Sequence, residues 1–305
     1  MRRWFRFLWT GVAVFYALVL FAGIFVCGKR YFLDKYVYLY GNGTLVQVSY
    51  GRYGFHISSY GDLVLDKSGL SMDSGCSSSF LMPDSLKQFR LIDLKAVIKM
   101  KDANGQIRDY PLYYLRNLQT ADGFKVKNVV VFPCYSTDSV TSSLGMDVIS
   151  AANWHFCFKD SCMDVIRRGR AYQIPERALC FSYERTKNPK TVLNVDDIRI
   201  DGCLLDMGMS DWDFCLTDSA ISNILQKDVP NDSVKETSIG LNSTVSTIVH
   251  QFDSLNVMNK MFADVRIRKG VGNIIGMDFF RRFDHMFWDS GSKKVYLWDD
   301  VEKNL

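Results

Sequence analysis

GLSMDSGCSSSF (residues 69–80) and GCLLDMGMSDWDF (residues 202–214) are two versions of one string, an apolar run that enters Asp-x-Gly. Each has a companion further along, SLGMDVISAANWHFCF (143–158) and IIGMDFFRRFDHMFW (274–288), where Gly-Met-Asp opens a helix-like run. The spacings agree. Gly75 to Gly145 is 70 residues and Gly208 to Gly276 is 68, while Asp73 to Asp206 is 133 and Gly145 to Gly276 is 131. Two coincidences rarely keep such register, so the pattern predicts an internal duplication.

Outward from these strings the chain is made of short apolar runs, not long 3.6-residue periodicities. TLVQVSY (44–50), KAVIKM (95–100), YPLYYL (110–115), VKNVVVFP (126–133), STVSTIV (243–249) and ADVRIRK (263–269) read as strands. Asn104-Gly105 between two such runs is a strong hairpin signal. The fold class is mainly β with a few short helices. The polar stretch Glu184–Asn194 is the predicted boundary between the copies.

Of the 305 residues, 48% are apolar and 23% charged, a globular balance. Five of the 37 basic residues lie in the first 30 positions, where there is no acid, leaving 32 basic against 33 acidic residues in the rest. The body therefore has no electrostatic footprint for nucleic acid. Residues 7–27 carry no charge over 21 positions, enough for one bilayer crossing as a helix. The stretch exceeds the apolar core of a typical cleaved signal, and no small-x-small site follows it, which favours an uncleaved anchor. The short tail before it places the N-terminus on the cytoplasmic side and the body on the outer, periplasmic or extracellular, side. Eight cysteines show no zinc spacing, so neither a metal nor another cofactor is expected. Cys157 and Cys162 flank a hairpin tip and can face each other, as a disulfide or as two thiols.

The paired strings resemble the retropepsin-like aspartic proteases over residues 40–300. That family has a strand entering Asp-Thr/Ser-Gly, a flap hairpin, and an apolar-Gly segment about 70 residues later. The resemblance implies a bilobed pepsin/retropepsin-like acid protease fold preceded by one transmembrane helix. Residues 1–30 would form the tip and anchor, 31–184 the first lobe and 185–305 the second. It implies a catalytic dyad of Asp73 and Asp206, supported by Ser74, Gly75 and Gly145 in one copy and Met207, Gly208 and Gly276 in the other. Two adjacent carboxyls share one proton and supply both the base and the acid that peptide hydrolysis needs. A single lobe supplies one carboxylate, so a duplicated chain would work as a monomeric pseudo-dimer. A peptide or protein substrate would lie in the inter-lobe cleft, under flaps at Asn104-Gly105 and at 236–251.

The second copy departs from the family at Met207, whose thioether cannot replace the cross-lobe hydrogen bond of a Ser or Thr. That departure keeps a second function open, a catalytically impaired peptide-binding or interaction module of the same fold. An anchored β protein with an accidental repeat is a third. Other residues have plainer readings. Asp147 and Asp278 are expected in the first turn of their helices. Asp211 and Asp213 are expected on the surface or in turns. His56, His155, His250 and His285 show no ligand spacing and are expected in structural or surface roles. A Cys–His pair built on Cys76 or Cys134 is a weaker alternative nucleophile.

Overall fold

Asn104-Gly105 lies at a hairpin turn, with Gly105 at φ +89°, the left-handed backbone that favours glycine. Leu91–Lys101 and Ile107–Gln119 pair antiparallel on either side of it. The computed structural model describes residues 15–16, 18–20, 38–40, 45–51, 54–57, 70–86, 91–119, 125–135, 142–184, 188–241 and 243–300.

From that hairpin the first half of the body builds inward. Ile107–Gln119 pairs antiparallel with Lys125–Pro133, which runs parallel to Ser79–Leu81. Ser79–Leu81 lies antiparallel to Ser142–Leu144, and that strand runs parallel to Leu70–Met72, the strand leading into Asp73. The second half repeats the order. Asp232–Ile239 and Thr244–Val257 form a hairpin turning at Gly240, and Thr244–Val257 pairs with Lys260–Lys269. Lys260–Lys269 runs parallel to Phe214–Leu216, which lies antiparallel to Ile274–Ile275. Ile274–Ile275 runs parallel to the end of Ile198–Leu205, the strand leading into Asp206.

Each half then turns into a one-turn helix, Met146–Ile149 or Met277–Phe280, opened by Gly145 or Gly276 in extended backbone. Asp147 and Asp278 occupy the first turns, as the sequence indicates. A short hairpin follows each helix, Asn153–Cys157 with Cys162–Ile166 and His285–Asp289 with Lys294–Trp298. These two hairpins pair with each other, Trp154 opposite Trp288, so the halves are joined by a shared sheet. Leu45–Gly51 extends that sheet at one side and Leu179–Ser182 at the other. Trp154 and Trp288 are fully buried there, and burying two such side chains is a main source of its stability.

The predicted anchor, residues 7–27, lies outside the described residues except for Phe15, Tyr16 and Leu18–Leu20, which are helical and exposed. Among the described residues no helix is long and apolar enough to cross a membrane. Among the described residues no two cysteines form a disulfide. Cys157 and Cys162 do face each other across their hairpin, as thiols.

Candidate active site

Asp73 and Asp206 each follow directly on a strand, and matching backbone bonds hold them. Asp73 N–H donates to Leu144 O at 2.9 Å, and Asp206 N–H donates to Ile275 O at 2.9 Å. Three residues on, Cys76 N–H reaches back to Asp73 O at 3.3 Å and Met209 N–H to Asp206 O at 3.4 Å. The same two residues then accept from the helix starts, Cys76 O from Met146 N–H at 2.8 Å and Met209 O from Met277 N–H at 2.7 Å. The apolar-Gly segments therefore brace the Asp-x-Gly turns from behind.

The two carboxyls face each other. Each also lies over the glycine of the opposite turn. A Cβ on Gly75 would fall 2.3–2.5 Å from the Asp206 carboxyl, and one on Gly208 would fall 2.5–2.8 Å from that of Asp73. No side chain fits in either gap, which is the physical reason both positions need glycine. Gly145 and Gly276 are also tightly packed, since a Cβ there would meet backbone at 2.6 and 2.7 Å.

Backbone N–H groups point at the pair. Cys76 N–H donates to Asp73 Oδ1 at 2.9 Å, and Gly208 N–H donates to Asp206 Oδ1 at 2.8 Å. Burial and the Asp206 charge push the Asp73 carboxyl well above the usual range. Burial also raises Asp206, but against donors from Gly208, Gly75 and Met209. Like charges this close cannot both ionise, so the pair holds one proton above the ordinary carboxylate range.

Ser74 crosses between the halves. Its hydroxyl donates to Leu205 O at 2.8 Å and accepts from Met207 N–H at 2.9 Å. Among the described residues Met207 returns no side-chain bond, and its side chain is fully buried. The cross-link is thus made from one side.

The hairpin tips meet each other as well. Ser243 Oγ donates to Asp102 Oδ2 at 2.7 Å, and Asn104 Nδ2 donates to Ser243 O at 3.2 Å. Ser238 Oγ donates to Asn104 Oδ1 at 3.1 Å. The tips cross over. Ala103 of the first packs against Met209, Trp212, Cys215, Val249 and Ile274 of the second half. Leu241 of the second packs against the Cys76, Phe80, Met100, Tyr110, Phe132 and Cys134 cluster of the first.

Some expectations fail. Asp213 is not a surface residue: it is buried, and Arg282 binds both its oxygens at 2.5 and 2.7 Å. Asp211 lies half-buried in a bend, at φ +74°. His155 and His285 do take structural roles, but as a pair. They lie on adjacent strands of the shared sheet, 3.1 Å apart, between Asp164 and Asp300. Only the register of that sheet brings them together. Sequence reading also passed over Arg268, a buried guanidinium. A charged residue inside an otherwise apolar-polar strand such as ADVRIRK was the available signal. Cys76 lies beside the carboxyls, but burial, with the Asp73 charge, pushes its thiol well up, which disfavours a thiolate. No group of His, Cys, Asp and Glu among the described residues could hold a metal.

No protein-family model matches the chain, and no curated protein does. Among solved structures, a retropepsin-like aspartic protease from Rickettsia conorii is similar at 19% identity and a TM-score of 0.30, over 39% of this chain and 89% of its own. At that score the likeness bears no weight on function.

Proposed function

We propose that this chain is an aspartic-type endopeptidase made of two homologous lobes, residues 31–184 and 185–305, with Asp73 and Asp206 as its catalytic dyad. The observation that carries this is the facing carboxyl pair, each lying over the other turn's glycine. The repeated order of strand pairings supports the duplication. Both carboxyls are raised by burial, so the pair carries one shared proton and one negative charge. The charged carboxyl would then take a proton from a water lying between the two. The protonated carboxyl would give its proton to the scissile carbonyl, with the roles reversing on collapse of the tetrahedral intermediate. An extended peptide would lie between the carboxyls and the crossed tips, pairing its backbone with the hairpin strands. The tips must part to admit it. The uncharged segment 7–27 would tether the enzyme to a bilayer with its body on the outer side. Peptidase activity measured on purified full-length chain tests the assignment. Activity undiminished in Asp73→Asn and Asp206→Asn would refute the dyad.

Met207 favours a second reading. With the cross-lobe link made only from the Ser74 side, the same fold would bind peptides in the cleft without cutting them. Peptide binding with no cleavage products, under conditions spanning pH 3 to 7, would establish that alternative.

A further inference from the structure

The cleft walls of the two halves can be compared position by position. Phe80 pairs with Phe132 in parallel and with Ser143 in antiparallel register, two residues before Gly145. Cys215 pairs in the same two ways with Arg268 and with Ile274, two residues before Gly276. Phe80 and Phe132 therefore correspond to Cys215 and Arg268. In the hairpins, the last paired residues are Lys101 with Ile107 and Ile239 with Thr244. Counting from those ends, Met100 and Tyr110 correspond to Ser238 and Thr247. One half thus has a wall of Phe80, Met100, Tyr110 and Phe132, all buried, with ring centroids 5.0 and 5.6 Å apart around Phe132. The other has Cys215, Ser238, Thr247 and Arg268 in the same places.

Arg268 is only 3% exposed, yet among the described residues no carboxylate lies in ion-pair range of it. Its partners are neutral: Ser238 Oγ, Asn104 Oδ1 at 2.9 Å and Lys269 O at 3.4 Å. These occupy three of its five N–H groups and leave two. The Trp212 ring centroid lies 5.0 Å from the guanidinium carbon, while Glu236 is committed to Arg266 and to Trp212 Nε1. A buried charge without a counter-charge is costly, and it is kept where something charged comes to it. A cavity of about 480 Å³ opens on Arg268, with Asn104, Thr247 and Lys269 in its lining. Met209, three residues after Asp206, belongs to the same cluster as Trp212 and Cys215, so this wall adjoins the dyad.

We infer that Arg268 is a specificity-determining residue that receives an acidic side chain of the peptide substrate, opposite an apolar subsite formed by Phe80, Tyr110 and Phe132. In the closed arrangement the Asn104 amide oxygen takes the place of that carboxylate on Nη2. When the tip lifts, the substrate carboxylate replaces it and forms the bidentate pair that a guanidinium fork favours. This inference rests on the endopeptidase reading above.

The test uses full-length chain and peptides amidated at the C-terminus, so that only side-chain carboxylates are offered. Each series keeps one aromatic residue and carries Glu, Gln or Lys on the far side of the candidate bond. Glu peptides should be cleaved about tenfold or more faster in kcat/KM than their Gln counterparts, the scale of one hydrogen-bonded charge pair. Arg268→Met should bring that ratio to about one, and Arg268→Lys should keep part of it. Cleavage that depends on Asp73 but treats Glu and Gln alike would overturn the inference and leave the endopeptidase reading intact. Should wild-type chain cleave nothing, that reading falls, and fluorescence anisotropy of the same peptides decides the subsite. A Glu preference lost in Arg268→Met supports it, and equal binding of Glu and Gln overturns it. The wild-type comparison needs no variant to fold.

Discussion

Ser74 and Met207 hold the same place in the two halves, each between Asp and Gly, and different forces tie them down. Ser74 makes two hydrogen bonds across the interface, to Leu205 O and from Met207 N–H. Met207 makes contact by bulk, fully buried. The same contrast recurs behind the turns. In the first half Asp147 accepts a bond from Ser79 Oγ at 2.8 Å, a light polar brace. In the second half Asp213 and Arg282 form a largely buried ion pair, and Asp213 also accepts from Arg266 N–H at 2.8 Å. A backbone scaffold that is nearly symmetric can thus be braced asymmetrically, and the symmetry worth preserving is that of the carboxyls.

The comparison can be broken first at its centre. Asp73→Asn and Asp206→Asn should each lower kcat/KM by about three orders of magnitude, since the pair acts as one unit. Very unequal losses would show that the halves do not share the chemistry. The braces come next. Asp213→Asn leaves Arg282 buried without its counter-charge and should cost about 3–5 kcal/mol in urea unfolding. Ser79→Ala, the lighter brace, also leaves Gly145 N–H unpaired and should cost about 1–3 kcal/mol. Similar costs at both sites would mean the asymmetry is only geometric. At the turns themselves, Met207→Ala should cost about 2–4 kcal/mol through the cavity it opens. Ser74→Ala should cost about 1–3 kcal/mol by leaving Met207 N–H unpaired, with an additional loss in kcat as the carboxyls lose their alignment.

The last effect concerns pH. Burial pushes the Asp147 carboxyl from its ordinary 3.8 up to about 6, against bonds from Ser79 and Val148. Between those values the folded chain holds a proton that the unfolded chain has released, so stability is lost as pH rises through the window. The dyad, also raised, contributes with the same sign. Asp147→Asn removes one part of that slope, so its melting temperature should fall less than that of wild type between pH 4 and pH 6.5. An unchanged slope would place the titration elsewhere.

Much of this site could be read from the chain because close approach leaves a mark on composition. Gly75 and Gly208 are glycine because a carboxyl occupies the space of a Cβ, and Asn104-Gly105 because the turn needs left-handed backbone. Such constraints are local and survive in the string. The rest depends on which strand lies beside which. His155 meets His285, 130 residues away, only through the shared sheet. Asp213 looks like one more acid in a turn until Arg282 is folded onto it. Arg268 reads as an ordinary strand charge until pairing with Cys215 turns it inward. Local patterns locate the carboxyls, whereas register decides what surrounds them.

The crossed tips carry a consequence for inheritance. Ala103 completes the second half's cluster, and Leu241 completes the first's. Each half therefore lends a piece of itself to its neighbour's wall. A chimaera that takes one half from this chain and the other from a relative would inherit two mismatched tips at once, even with both carboxyls in place. Every change at one tip is therefore judged in the other half's pocket.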